Sequence, residues 1–379
     1  MGKKIVYMIG GLYNPNGMAR VLSTKVNYLA EHTDYQVHVI LTEKAGTPYY
    51  YELSPKIEVV NFDINFDELD TMPLHRKIVH YLNKQRKYKA CFYKYLMELR
   101  PDITVFPMRR EINFINNIAD GSKKVGEIHF NRENYRQFHK KFLPGRLNRA
   151  ISNYWMSRMV KEIRKLSRFV VLSNQDLKKW SELNNAEVIH NPLSFFPDEP
   201  AGGKNKKVIA AGRYSHVKGF DLLIEAWSKV NRKHPDWELY IYGHGNNQVY
   251  QSIAHDLGIG NSVHCEPAVK DIYSKYNESA IFVLSSRFEG FGLVIAEAMS
   301  CGIPAVAFDC PSGPREIIRD HEDGFLVENG DTGQLADQIS YLIEHEEIRR
   351  EMGAKARIHA NRFKIDTIMQ QWINLFERL

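Results

Sequence analysis

The sequence predicts an α/β fold made of two Rossmann-like, doubly wound parallel-sheet domains facing across a cleft. Three observations carry this. Short apolar runs alternate with helical patterns along the whole chain. The alternation restarts after a Pro-, Gly- and Lys-rich stretch at 193–205, which reads as a linker. The length, 379 residues, suits two domains better than one. With 44% apolar and 25% charged residues, the composition is that of an ordinary soluble globular protein. No run approaches a membrane span, and the apolar stretch after Lys3-Lys4 is too short for a signal peptide. The expected location is the cytoplasm. Cys91, Cys265, Cys301 and Cys310 are scattered, which favours free thiols over disulfides or a metal site.

In the first half, a strand at 5–9 runs into a loop, Gly10 to Gly17, and a helix from Met18. The helix start suits a phosphate, but the glycine spacing is not that of a dinucleotide fingerprint. Strands follow at 36–41 and 57–60. The acidic stretch 63–73 reads as a solvated loop rather than a set of metal ligands. Residues 74–100 form a long helical pattern in which Ile78, Leu82, Phe92, Leu96 and Leu99 alternate with seven basic residues. Such a helix either lies on an anionic membrane surface or packs on the sheet with its basic face in water. Strands at 101–106 and 125–128 place Arg109, Arg110, Glu111 and the Glu127-Ile-His129-Phe-Asn131 segment at carboxyl ends, where ligands bind in parallel sheets. A second basic stretch at 132–168 is interleaved with Phe138, Phe142, Tyr154 and Trp155 and is another candidate membrane or phosphate face.

Charge divides the chain. Residues 1–195 hold 31 Lys+Arg against 19 Asp+Glu, and residues 196–379 hold 20 against 26. A balance of +12 beside one of −6 points to different partners for the two halves.

The second half carries the strongest chemical signal. A strand at 208–211 precedes a glycine-flanked loop, 212–219, that bears Arg213 and Lys218, and then a helix from Phe220. A strand follows at 238–242. An apolar run, 280–284, leads into the turn Glu289-Gly290-Phe291-Gly292, a helix at 293–300 closed by Cys301-Gly302, and a strand at 303–308. The last strand, 324–327, and three helices complete the chain. Two cations and a helix N-terminus make a diphosphate clamp. Glu289 and Glu297, eight residues apart, suit hydrogen bonds to a sugar and to a ribose diol. No P-loop, Asp-x-Asp pair, nucleophilic serine elbow or Cys–His pattern accompanies them. Neither a metal nor a cofactor is expected, and no motif supports nucleic-acid binding.

The run Glu289-Gly-Phe-Gly-Leu-Val-Ile-Ala-Glu297-Ala-Met-Ser-Cys-Gly-Ile-Pro resembles the Glu-x7-Glu motif of the retaining glycosyltransferases of family four, which have the GT-B fold. Gly212-Arg213-Tyr-Ser-His-Val-Lys218-Gly resembles that family's diphosphate loop. The segment from Phe308 to Ile317 is similar to a subgroup that builds bacterial lipid-linked oligosaccharide, O-antigen, capsular and exopolysaccharide chains. His190-Asn191-Pro192 resembles the family hinge, and His129-Phe-Asn131 its acceptor-side histidine motif.

The resemblance implies an acceptor-side domain at 1–192, a donor domain at 193–362, and a terminal helix at 363–379 crossing back to the first domain. It implies Arg213 and Lys218 on the donor diphosphate, and Glu297 on the ribose. The donor sugar would meet Glu289, Gly290, Phe291, Gly292 and Leu293, and the base would lie near Val269. Gly17 would let the first loop approach the donor phosphates, and His129 would lie near the reacting carbon. The implied reaction moves a hexose or N-acetylhexosamine, most simply from a UDP-sugar, to a glycan acceptor on polyprenyl diphosphate, with retention and without a protein nucleophile. The basic half would then rest on an anionic membrane. A nucleotide-sugar epimerase of the same fold and a non-catalytic sugar-nucleotide-binding protein are the competing readings.

Overall fold

The computed structural model describes residues 2–130, 132, 145–201, 203 and 205–379. Two compact units emerge: residues up to Ile189 together with Met369–Leu379, and His190–Ile368.

The first unit contains β1 (Lys4–Ile9), α1 (Gly17–His32), β2 (Gln36–Leu41), β3 (Glu58–Asn61), α2 (Leu74–Leu99), β4 (Ile103–Phe106), β5 (Lys123–Glu127), α3 (Gly145–Ile163), β6 (Arg168–Val171), α4 (Asn174–Lys179) and β7 (Ala186–Val188). Its seven strands are ordered β3-β2-β1-β4-β5-β6-β7, and every pairing is parallel. Strands covered by helices on both faces need apolar residues at successive positions, and β1 and β4 are buried almost throughout. The core gathers Val6, Met8, Phe106 and Phe169 of the sheet with Tyr88, Phe92 and Leu96 of α2.

In the second unit lie β8 (Lys207–Ala211), α5 (Phe220–Lys233), β9 (Glu238–Gly243), α6 (Gln248–Asp256), β10 (Val263–Pro267), α7 (Ile272–Asn277), β11 (Ile281–Leu284), α8 (Leu293–Ser300), β12 (Ala305–Phe308), α9 (Pro314–Ile317), β13 (Gly324–Val327), α10 (Thr332–Glu344) and α11 (Glu346–Ala360). The last helix, α12 (Ile365–Arg378), starts here and ends in the first unit. The six-stranded sheet runs β10-β9-β8-β11-β12-β13, again all parallel. Phe220, Leu223, Ile224, Trp227 and Val230 recur at three- and four-residue spacing, and all five are buried on one side of α5.

Two segments differ from the sequence expectation. Residues 63–73 are not simply a solvated loop. Phe66–Thr71 forms a short 3-10 helix whose Phe66 and Leu69 are buried, while Asp67 pairs with Tyr13 and Glu68 with Lys84. The stripe on α2 divides along its length. Phe92 and Leu96 are buried, whereas Ile78 and Leu82 are 55% and 51% exposed. In the second basic stretch the described part is helix α3; Arg136, Phe138, Lys140, Lys141 and Phe142 lie outside the described residues, as does Asn131.

Candidate active site

In the second unit the chain goes from β8 outward to β9 and β10, then returns to β11 on the other side of β8. The carboxyl ends of β8 and β11 therefore form the topological switch point, the ligand-binding crevice of a doubly wound sheet. The loops leaving these two strands are stitched together. Gly219 has φ +62°, and a Cβ there would fall 2.0 Å from the Ser285 carbonyl oxygen. Only glycine allows so close a crossing. The Ser285 hydroxyl donates to the Lys218 carbonyl at 3.0 Å, and the Arg287 amide donates to the Val217 carbonyl at 2.8 Å. Arg287 also grips Asp221, in the first turn of α5, through two hydrogen bonds of 2.9 and 2.7 Å. That guanidinium holds the Asp221 carboxyl below the usual carboxylate range.

Lys218, so placed, reaches Glu289. Its Nζ donates to Oε1 at 2.6 Å, and the Ser286 hydroxyl donates to the same oxygen at 2.6 Å. Side-chain exposures of 21% for Lys218 and 10% for Glu289 leave the pair at the edge of solvent. Arg213, on the same loop as Lys218, is exposed, and its guanidinium makes no hydrogen bond or ion pair among the described residues. The turn Glu289–Gly292 ends with Gly292 at φ +86°, which caps α8. The loop after β12 presses on this turn: Gly313 has φ +129°, and a Cβ there would lie 2.3 Å from the Phe291 carbonyl oxygen. Gly290 is half-buried, Phe291 and Gly292 are buried, and Leu293 opens α8, whose N-terminus carries the positive end of the helix dipole.

Glu297 lies about one turn into α8. It is buried, and its Oε2 accepts a hydrogen bond from the Tyr276 hydroxyl of α7 at 3.1 Å. Val269 is half-buried on the segment between β10 and α7. Sequence reading placed Lys218, Glu289 and Glu297 on ligand. It did not anticipate that Lys218 and Glu289 engage one another, or that Ser286, Arg287 and Tyr276 hold the set. The partners of Lys218, Arg287 and Tyr276 are 71, 66 and 21 residues away, so local spacing carried no signal for them.

In the first unit the switch point lies between β1 and β4. A pocket there is lined by Tyr7 and Met8 of β1, Met18 and Lys25 of α1, Phe106 of β4, and Glu127 and His129 at the end of β5. His129 keeps 11% of its side chain exposed, with Nε2 3.6 Å from Glu127 Oε1. Gly17 opens α1 behind an Asn16 cap that accepts from the Ala19 amide at 2.8 Å. Apart from its chain neighbours and its own helix backbone, no described residue comes within 4 Å of the position a Gly17 Cβ would occupy.

Residues 194–359 match the family described as Glycosyl transferases group 1. The chain is 27% identical to an uncharacterised glycosyltransferase of Haemophilus influenzae over 98% of its own length and 99% of that protein. The second unit is a group 1 glycosyltransferase unit. The chain is also 25% identical to the amylovoran biosynthesis glycosyltransferase AmsD of Erwinia amylovora, over 97% of this chain and 98% of that one. The crystal structure of a point mutant of S. aureus TarM, in complex with fondaparinux, alpha-GlcNAc-glycerol and UDP, covers 99% of both chains at a TM-score of 0.78 and 18% identity. That likeness is one of fold, and the fold is GT-B. With that unit the protein is an enzyme, retaining and of family four, which sets aside the non-catalytic reading.

Proposed function

We propose that this glycosyltransferase moves a hexose or N-acetylhexosamine from a UDP-sugar to a hydroxyl of a glycan acceptor carried on polyprenyl diphosphate, in the synthesis of a bacterial surface polysaccharide. The observation that carries the donor half of this reading is the Lys218–Glu289 pair beside exposed Arg213, at the N-terminus of α8 and the β8/β11 switch point. A diphosphate entering there exchanges the single carboxylate on Lys218 for a more highly charged anion and engages Arg213 as well. Charge that grows on the leaving diphosphate is then met by fixed cations, the largest common source of catalysis in such sites. Glu289, released from Lys218, is free to accept from sugar hydroxyls, with the backbone of Gly290, Phe291, Gly292 and Leu293 beside it. Glu297 takes the ribose and Val269 flanks the base. We assign Gly17 to donor-phosphate approach, consistent with the open space at its Cβ position, and His129 to the reacting end of the sugar. The UDP assignment draws on the nucleotide bound to TarM, and the polysaccharide assignment on AmsD.

Melting temperatures against UDP-, GDP- and ADP-sugars test the donor. A ligand at about 100 times its Kd stabilises the fold by roughly 2.7 kcal/mol, so the UDP series should raise the midpoint. A rise with GDP- or ADP-sugars alone would overturn the base assignment. For the acceptor side, exposed Ile78, Val79 and Leu82 project from α2 among His75, Arg76 and Arg86. An apolar strip bounded by cations fits an anionic lipid surface. Flotation with phosphatidylglycerol vesicles should carry the wild type upward and leave Ile78→Glu/Leu82→Glu at the bottom. Equal flotation of both would end the membrane reading.

A further inference from the structure

A buried charge pair lies next to His129 in the first unit. Lys25 of α1 and Glu127 of β5 are 1% and 5% exposed. Lys25 Nζ donates to Glu127 Oε2 at 2.7 Å, and the other carboxylate oxygen, Oε1, is the one 3.6 Å from His129 Nε2. One carboxylate thus has a lysine on one oxygen and a histidine near the other. The ammonium also lies 3.5 Å from the ring centroid of Trp372, on α12, and 5.2 Å from that of Tyr7. Burial works to lower the Lys25 pKa, and Glu127 opposes it. Burial likewise pushes Glu127 up, but Lys25 and His129 outweigh it and hold the carboxyl at about 2. The short contact and the low carboxyl value agree on a charged pair.

A buried ion pair is a weak source of stability, because desolvation takes back most of the Coulomb gain. Its placement against a strand-tip histidine offers a second reason for it. We propose that Glu127 is a positioning residue that fixes His129 with its proton on Nε2, and that Lys25, backed by Trp372, holds Glu127 in place for that task. This rests on the reading of His129 as a group that serves the reacting sugar. With Nε2 carrying the proton, Nδ1 is the ring's acceptor. The ionisable groups packed around Glu127 are Lys25 of α1, Tyr7 of β1 and His129 itself. Arg109, after β4, packs on the ring of Phe130, the next residue along.

Nitrogen-15 NMR of histidine-labelled protein, with the His129 signals assigned from His129→Gln, tests this. In the wild type the neutral ring should be the Nε2–H tautomer. Glu127→Gln replaces the carboxylate with an amide that donates as well as accepts, so the Nε2–H tautomer should lose its dominance. The same variant should lower kcat about tenfold or more while leaving the donor KM within about twofold. An Nδ1–H tautomer in the wild type overturns the proposal without any variant. So does a tautomer balance that is unchanged in Glu127→Gln. Should His129→Gln transfer sugar at the wild-type rate, the catalytic reading of His129 falls, while the tautomer still decides the positioning role.

Discussion

The two units hold lysine–glutamate pairs of nearly equal length set in opposite surroundings. Lys218–Glu289, at 2.6 Å, sits at the solvent edge of the β8/β11 switch point. Lys25–Glu127, at 2.7 Å, is enclosed beneath β1, α1 and the indole of Trp372. The same chemistry serves two purposes because burial differs. At the edge, water and incoming anions compete for the lysine, so the pair opens at small cost and suits a site that must receive charge. In the interior both ions are shielded from solvent, so the pair is fixed and suits a site that must hold a geometry.

The largest break in this comparison comes from Lys25→Met, which strands Glu127 in the interior. Urea unfolding should show a loss of about 3–5 kcal/mol. The double variant Lys25→Met/Glu127→Leu should recover most of it, and a single variant no less stable than the wild type would refute the enclosed-pair picture. Lys218→Ala should do the reverse. Its stability should stay within about 1 kcal/mol of the wild type, while transfer falls on the order of 10²-fold or more. Acid provides a finer contrast. The carboxyl of Glu127 is held near 2 in the folded state against an ordinary 4.5. A depressed carboxyl stabilises fully above its unfolded value and loses that contribution as pH falls towards the folded value. The stability gap between the wild type and Glu127→Gln should therefore be constant above about pH 5 and narrow between 4.5 and 2. A gap independent of pH would place the charge of Glu127 elsewhere.

Local pattern made much of the second unit legible. The apolar run into β11, the Glu289–Gly292 turn, α8 and the glycine that ends it follow from residues adjacent in the chain. The helices absent from the sequence reading, α6, α7 and α9, bury only two residues each, too few to impose a period. The two pairs were out of reach for another reason. Lys218 and Glu289 are 71 residues apart, and Lys25 and Glu127 are 102 apart. Lys25 lies among Val21, Leu22 and Val26 on the buried side of α1, and a composition count enters it as one more surface cation. On α2 the apolar stripe has the right period throughout, but periodicity marks a face and not what covers it. Its carboxyl half meets the sheet and Ile78 and Leu82 meet solvent.

Calorimetric titration of UDP into the wild type, Lys218→Ala and Glu289→Gln tests the central claim most directly, that the edge pair opens to take a diphosphate. Lys218→Ala should weaken the Kd about tenfold or more, the worth of a lost charge-assisted contact. Glu289→Gln, which frees the lysine, should bind UDP at least as tightly as the wild type. An unchanged Kd in Lys218→Ala would contradict the claim.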